Sequence, residues 1–407
     1  ARPRAHQPTD QRAAQAAVGV RARARRQETA AKGRREKFAA QLSAAVGWAR
    51  ASDPRLRAWT GLRTMRVARV VDECRDCRSF YLVPVDGRPL PRFAPGQYVT
   101  FHLRTDRQAT PVVRCYSLSD RPRDDCYRVT VKRALPPGRR LDVPPGRASN
   151  FLHDRVGQGS LVQIEAPQGA FFLDLGDPLP LALIGGGIGI TPLVSMAAAL
   201  THAADPRRVY FFGGFRNGDA HPLGEELRTI AAKNDQLQLD ISYSQPTDRD
   251  RRQGGYDHVG RITLDRLRRV LPSGNFRFFV CGPPGMMASL VPELLAWGVP
   301  REHLHFEAFG PASVPLDRDA PCEPVEVEFA RSQRTALWTG AEPSILALAE
   351  AQGVPIETGC RAGNCGQCRV SLLAGHVDHA KPPGVELVDG ECLACVARPR
   401  GPVRVDA

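Results

Sequence analysis

The chain has 407 residues, 42% of them apolar and 24% charged, which suits two or three folded domains of roughly 100–200 residues each and excludes bulk disorder. No stretch approaches about 18 uninterrupted apolar residues, so no membrane-spanning helix is expected, and no motif recurs at a fixed period, which excludes collagen-like and solenoid architectures. The net charge of +13 is concentrated: residues 1–66 hold 16 Lys/Arg against 4 acids, net +12, and the remaining chain is +1. Only an N-terminal arm is basic, so no nucleic-acid partner is expected for the body.

Residues 1–62 read as a basic extension, helical in part over Gln27–Trp48 or disordered. A solvated tail is the bland reading; a membrane-surface helix or partner-docking arm is the alternative. Its Arg-rich start is shared with organelle transit peptides, although Glu28 and Glu36 count against that. The chain begins with Ala, as a processed or partial sequence would. From Arg63 short alternating segments follow (Met65–Val71, Ser79–Pro84, Gln97–Leu103, Tyr127–Arg133, Leu161–Ala166), punctuated by Gly and Pro. They predict an antiparallel β-barrel.

From Pro180 the texture becomes strand–helix alternation. Leu181–Ile184, Val209–Gly213, Gln238–Tyr243 and Arg277–Cys281 read as buried strands, with helices at Thr191–Ala204, Glu225–Ala232, Leu264–Val270 and Met286–Trp297. This predicts an α/β unit with a parallel sheet. Arg251-Arg252 within Asp248–Gln253 reads as a solvated turn. A Pro-rich linker at 311–322 precedes a third unit, with a hairpin around Val325–Thr339 and a short helix at Ser344–Gln352 ended by Gly353.

Eleven cysteines are present, and five of them lie in the last 48 residues. Clustering in a long chain with no apolar leader points to a metal or cluster site in a reducing compartment, not to a secreted disulfide scaffold. A cytoplasmic location is expected, at most peripheral to a membrane. Cys360-x4-Cys365-x2-Cys368 has the plant-type spacing for a [2Fe–2S] cluster, whereas zinc prefers paired C-x2-C units. Gly359, Gly363 and Gly366 allow the tight turns that aim N–H groups at sulfur. The fourth thiolate comes from Cys392 or Cys395, the latter 27 residues beyond Cys368. Cys74 and Cys77 lack a second pair nearby and read as free thiols; His376 and His379 read as surface residues.

Two further motifs carry chemistry. At a strand end, Arg114-Cys115-Tyr116-Ser117-Leu118-Ser119 offers a fixed charge, a flat ring and a small donor. In Arg147-Ala148-Ser149-Asn150-Phe151-Leu152-His153-Asp154, Ser149 reads as the opening of a helix able to hold a pyrophosphate; an ordinary N-cap is the bland alternative. The run Gly185-Gly186-Gly187-Ile188-Gly189-Ile190-Thr191-Pro192 follows an apolar strand and opens a helix, the context that favours a bound nucleotide. A companion strand end is Val280-Cys281-Gly282-Pro283.

From Arg63 to the end, these motifs in this order resemble the ferredoxin–NADP reductase superfamily, in the group of oxygenase reductases with a C-terminal plant-type ferredoxin domain. The RCYSLSD and RASNFLHD strings make the flavin domain similar to that of flavohemoglobins. The resemblance implies a flavin barrel at 63–176, a nucleotide domain at 177–310, a linker at 311–322 and a β-grasp ferredoxin domain at 323–407. It implies Arg114, Tyr116, Ser117 and Leu118 at the flavin, with Ala148, Ser149 and Asn150 at its pyrophosphate. Gly187, Gly189, Thr191, Pro192, Cys281 and Gly282 would lie along the nicotinamide nucleotide, and Phe309 near the flavin. Tyr116, Ser117 and Cys281 would stand at the reacting rings. The Ala394–Pro399 string resembles the ferredoxin segment of the last ligand, which selects Cys395 and leaves Cys392 a buried bystander.

FAD is implied over FMN, although an extra loop between Lys132 and Arg147 departs from flavohemoglobins. NADH is implied over NADPH, because Ser244 is followed by Gln245 and not by Arg; Arg216 does not decide. The basic arm has no counterpart in the family. The function implied is electron transfer from NADH through FAD and [2Fe–2S] to an external oxygenase, demethylase, desaturase or P450, since no di-iron or haem motif is present. The alternatives are a stand-alone reductase of ferric, quinone or flavin acceptors, and a redox sensor that binds membrane or nucleic acid through the arm.

Overall fold

The computed structural model describes residues 59–105, 111–136, 145–310, 323–381 and 383–407. The basic arm up to residue 58, most of the extra loop and the linker at 311–322 lie outside the described residues. Among the described residues no helix is long and apolar enough to cross a membrane.

Among the described residues, six strands form the first unit: β1 (Arg63–Cys74), β2 (Cys77–Pro84), β3 (Tyr98–Leu103), β4 (Val112–Ser117), β5 (Tyr127–Lys132) and β6 (Leu161–Ile164). They pair in the order β4-β3-β6-β1-β2-β5. A bridge between Leu118 and Val129 joins the two edges, so the sheet closes into an antiparallel barrel. Alternation drives it: Met65 and Val67 of β1 point inward while Arg66 faces solvent. Phe80, Leu82, Phe101, Leu118 and Val129 fill the barrel core. Helix α1 (Arg147–Arg155) follows β5, and Leu152 packs it onto that core.

The second unit contains β7 (Leu181–Gly186), α2 (Ile190–His202), β8 (Val209–Phe215), α3 (Gly224–Ala232), β9 (Leu237–Tyr243), α4 (Asp248–Gln253), β10 (His258–Val259), α5 (Leu264–Val270), β11 (Arg277–Cys281), α6 (Pro284–Ala296) and β12 (Leu304–Glu307). The sheet is parallel throughout, in the order β10-β9-β8-β7-β11-β12. Its two faces carry separate apolar clusters, one around Leu193 and Phe211, the other around Phe278 and Leu290. Strand order reverses between β7 and β11, where Gly185 lies opposite Cys281. Open α/β sheets bind ligands in the crevice at such a switch point. The turn expected at Arg251-Arg252 is instead helix α4. Thr247 Oγ1 accepts from the Asp250 N–H (3.2 Å) and Asp250 Oδ2 accepts from the Thr247 N–H (2.7 Å), a capping box that offsets the lack of an apolar face.

The third unit has β13 (Val325–Phe329), β14 (Arg334–Trp338), α7 (Ile345–Ala351), β15 (Arg369–Ala374), β16 (Val377–His379), β17 (Glu391–Leu393), β18 (Ala397–Pro399) and β19 (Val403–Val405). Its main sheet runs β14-β13-β19-β15-β17, with β13 and β19 parallel and the other pairs antiparallel. Helix α7, capped by Ser344, buries Ile345 and Leu348 in the cluster that holds Phe329, Trp338 and Val405. This helix on a mixed sheet is the expected α+β arrangement.

Candidate active site and cluster loop

At the end of β4 the side chains diverge around a cavity of about 620 Å³. Arg114, Tyr116, Ser117, Ala148, Ser149, Thr191 and Phe309 all border it. It therefore lies where the barrel, the parallel sheet and the cluster loop meet. Tyr116 is oriented by an edge-to-face contact with Phe101 (5.3 Å, 85°). Burial pushes its phenol above the ordinary value, so the ring stays neutral.

Helix α1 begins one turn earlier than the sequence suggested. Gly146 is the N-cap, and Ser149 stands inside the first turn. Because Gly146 has no side chain to cap with, the Ser149 hydroxyl serves the preceding loop: it accepts from the Ala134 N–H (3.0 Å) and donates to the Gly146 carbonyl (3.3 Å). The Asn150 amide donates to the Ala134 and Gly146 carbonyls (3.0 and 2.8 Å), so it pins the turn and does not border the cavity. Lys132, Arg133 and Arg147 add positive charge to this wall. Sequence reasoning did not single out Lys132 or Arg133 and quoted Arg147 only as the start of the Ser149 motif; the signal was a basic strand end leading to a helix start.

Leu118 does not border the cavity. Strand alternation sends its side chain into the barrel core, fully buried. Gly187, Gly189, Pro192, Cys281 and Gly282 also lie off the cavity, at the β7/β11 switch point. There the Gly189 Cα faces the Cys281 backbone so closely that a Cβ would stand 2.3 Å from the Cys281 carbonyl oxygen. Cys281 is fully buried, and burial holds its thiol well above the ordinary range, neutral. The Thr191 hydroxyl donates to the Ile188 carbonyl (3.0 Å) and fixes the turn. Beyond β8 and β9, Arg216 Nε donates to Gln245 Oε1 (2.9 Å).

The cluster loop runs from Gly359 to Cys368. Cys360 Sγ accepts from the N–H groups of Ala362, Asn364 and Cys365 (3.3–3.4 Å), Cys365 Sγ from Cys360 N–H (3.2 Å), and Cys395 Sγ from Gly363 N–H (3.2 Å). Gly363 takes φ of +73°, which a side chain would strain, and a Cβ on Gly359 would lie 2.6 Å from Cys365 Sγ. Hydrogen bonds from the Cys115 and Cys365 thiols hold Cys360 well below the ordinary thiol range, and a hydrogen bond from Cys395 lowers Cys368, while Cys365 and Cys395 themselves are raised. Backbone N–H groups aimed at three of the four sulfurs suit an iron–sulfur centre. Cys392 differs: it is fully buried within β17, opposite Val370 of β15. The donor set thus fits [2Fe–2S] through Cys360, Cys365, Cys368 and Cys395. The large cavity, with an aromatic wall, hydroxyls and a basic end, fits a flavin nucleotide.

A fifth sulfur joins the loop from another unit. Cys115, on β4 between Arg114 and Tyr116, pairs its Sγ with Thr100 Oγ1 (3.6 Å) and borders the cavity with Cys360, and the nearby Cys360 and Cys365 hold its thiol well above the ordinary range. Arg114 Nη1 donates to the Gly359 carbonyl (2.9 Å), and the Tyr98 hydroxyl donates to the Asn364 carbonyl. Barrel and cluster loop therefore share a wall, with Cys360 itself bordering the cavity. Neither contact was readable from spacing, because the partners stand more than 240 residues apart in the chain. His379, expected at the surface, is half-buried; its Nε2 accepts from the Leu393 N–H (3.2 Å) at the start of the turn to Cys395. Cys74 and Cys77 are free thiols, each donating to Asp76 (3.7 and 3.5 Å).

Two family models match the chain: the oxidoreductase NAD-binding domain over residues 183–291, and the 2Fe-2S iron-sulfur cluster binding domain over residues 329–400. The flavohemoprotein of Bacillus cereus (strain ATCC 10987 / NRS 248) is 36% identical over 255 residues, 63% of this chain and 62% of its own length. The chain thus spans less than two thirds of the curated relatives it matches. Among solved structures, the flavohem-like FAD/NAD binding domain of nitric oxide dioxygenase from Vibrio cholerae O1 biovar El Tor is 30% identical. That match covers 61% of this chain and 98% of that one, with a TM-score of 0.54. Phthalate dioxygenase reductase, described as a modular structure for electron transfer from pyridine nucleotides to [2Fe-2S], shares the fold over 85% of this chain and 98% of its own (24% identity, TM-score 0.53).

Proposed function

Because the chain belongs to the ferredoxin-reductase-type oxidoreductases with a C-terminal [2Fe–2S] domain, we propose that it takes electrons from NADH and delivers them singly to a separate acceptor protein. The acceptor class is an oxygenase, demethylase, desaturase or cytochrome P450. The chain is an NAD(P)H oxidoreductase whose cofactors are FAD and [2Fe–2S]; the acceptor, the nucleotide preference, the residue roles and the domain limits (63–176, 177–310 and 323–407) make up the proposal. The observation that carries it is the shared wall: one cavity is bordered both by Arg114, Tyr116 and Ser117 and by Cys360. The oxygenase partner named for phthalate dioxygenase reductase supports the acceptor class.

When bound, FAD and the cluster together convert a two-electron donor into a one-electron source. The side chains hold, orient and exclude. Tyr116 gives a flat neutral face for the ring system, and Ser117 a buried hydroxyl beside it. Arg114 bridges the flavin wall to the cluster loop through Gly359. Ser149 shapes the first turn of α1, whose N–H groups, with Lys132, Arg133 and Arg147, bind the pyrophosphate. The Gly-rich turn before α2 lets the nicotinamide nucleotide approach the switch point, where Cys281 is a neutral thiol closed off from water. Gln245 stands where a second cation would meet a 2′-phosphate, which favours NADH.

An anaerobic titration followed by visible absorbance tests the proposal. NADH should bleach the flavin bands and the broad iron–sulfur absorption together, more effectively than NADPH. Absence of bleaching with either nucleotide would sink the reading. Adding a candidate acceptor should then restore the colour.

A further inference from the structure

Three buried polar side chains meet where the parallel sheet touches the cluster loop. Glu307 ends β12, two residues before Phe309 at the flavin cavity. Asn364 lies between Cys360 and Cys365, and Lys381 follows β16. Lys381 Nζ donates to Glu307 Oε1 (3.0 Å) and to Asn364 Oδ1, while Asn364 Nδ2 donates to Glu307 Oε1 (2.7 Å). The ion-paired side chains are only 5% and 4% exposed.

Stability alone does not account for such a pair. Desolvating two charges offsets most of their attraction, and apolar residues of similar volume often do as well. What an ion pair with hydrogen bonds adds is direction. Asn364 is the hinge of that direction: its backbone N–H points at Cys360 Sγ (3.3 Å), its carbonyl takes the Tyr98 hydroxyl, and its side chain is held by Lys381 and Glu307. The loop is thereby tied at one residue to the barrel, to the sheet and to a sulfur.

We propose that Lys381 is a positioning residue for transfer between flavin and cluster, seating the cluster loop against the flavin cavity through Glu307 and Asn364. The proposal rests on the reading of this chain as a flavin/[2Fe–2S] reductase. It requires the loop to shift away from the cavity when the ammonium is lost, with little change at the Gly-rich nucleotide turn; Lys381 itself does not border the flavin cavity, although its partners Glu307 and Asn364 do.

The test uses the full chain loaded with FAD and cluster, mixed anaerobically with NADH in a stopped-flow instrument. Flavin bleaching and cluster bleaching are followed at separate wavelengths. Lys381→Met should keep its iron and bleach flavin at close to the unaltered rate, while its cluster bleaches several-fold more slowly. Lys381→Arg should recover most of that loss, since the cationic donor returns. The double variant Lys381→Met/Glu307→Gln leaves no orphaned charge, so it covers the case in which the single variant folds poorly; it too should show slow cluster bleaching. Cluster bleaching at the unaltered rate in iron-replete single and double variants would overturn the proposal. A protein whose unaltered form never bleaches its cluster would instead overturn the functional reading beneath it.

Discussion

Gly189 sets up a sharp test of how the nucleotide turn works. Its φ of −63° is helical, so no conformational penalty attaches to a side chain there; space alone forbids one. A Cβ would lie 2.3 Å from the Cys281 carbonyl oxygen and 2.6 Å from its carbon. Clearing that overlap to about 3 Å needs a movement of roughly 0.7 Å. The obstacle is backbone at the end of β11, clamped between β7 and β12, so the turn must move. Overpacking of this kind costs about 1–3 kcal/mol. If the strain is relieved by lifting the turn off the switch point, it appears as lost nucleotide binding of about 10-fold or more in kcat/KM. Gly187 provides the contrast. It has φ of +53° but nothing within 4 Å of a Cβ, so Gly187→Ala meets only left-handed strain of about 1–2 kcal/mol and no clash. The assay is steady-state NADH oxidation with ferricyanide, which needs no partner protein, beside the visible spectrum of each variant. Gly189→Ala should lose kcat/KM for NADH with flavin and cluster bands intact, and Gly187→Ala should lose less. A Gly189→Ala enzyme with unaltered kcat/KM would refute the claim that the close approach of these two strand ends forms the nucleotide site.

Cys395→Ser should lose iron and the broad visible absorption while keeping flavin, whereas Cys392→Ser should keep both; an iron assay and a spectrum decide. Gln245→Arg should move the NADPH/NADH ratio of kcat/KM upward by about 10-fold, through a bidentate donor for the 2′-phosphate. His221, pushed down to about 3 by burial and by Arg228, must stay neutral in the fold while it protonates in the unfolded chain near 6.5. Its contribution is therefore present above about pH 6.5 and is lost as pH falls towards 3, about 2 kcal/mol between pH 7 and pH 5. Denaturant midpoints at both pH values measure this, and His221→Phe should flatten the dependence.

Much of the fold was legible because its signals are local. Period-two alternation marked β1, β2, β3 and β5, and continuous apolar runs marked the parallel strands, with β11 read to its ends at Arg277 and Cys281. The cysteine spacing pointed to the cluster loop because three of its sulfurs lie within nine residues. The failures share a cause as well. Helix α4, Asp-Arg-Asp-Arg-Arg-Gln, has no apolar face, so periodicity was silent, and the Thr247–Asp250 capping box was the signal to use. Ser149 looked like a cap because Ser so often is one; the neighbouring Gly146 took the cap position instead. Cys115, Tyr98, Glu307 and Lys381 were passed over because each matters only through a partner brought close by folding.

Beside apolar packing such as Phe171 against Phe279, several contacts between units are polar and directional, and that bears on the chemistry. Arg128, buried in the barrel, pairs with Glu226 of α3; Tyr98 and Arg114 reach carbonyls of the cluster loop; Lys381 meets Glu307. Apolar burial would hold three units together equally well, but it is non-directional and tolerates sliding. Hydrogen bonds and ion pairs weaken steeply when misaligned. An interface built from them resists small displacements that an apolar one would absorb. That is the property needed where the barrel motif and a cluster ligand must face each other across one cavity.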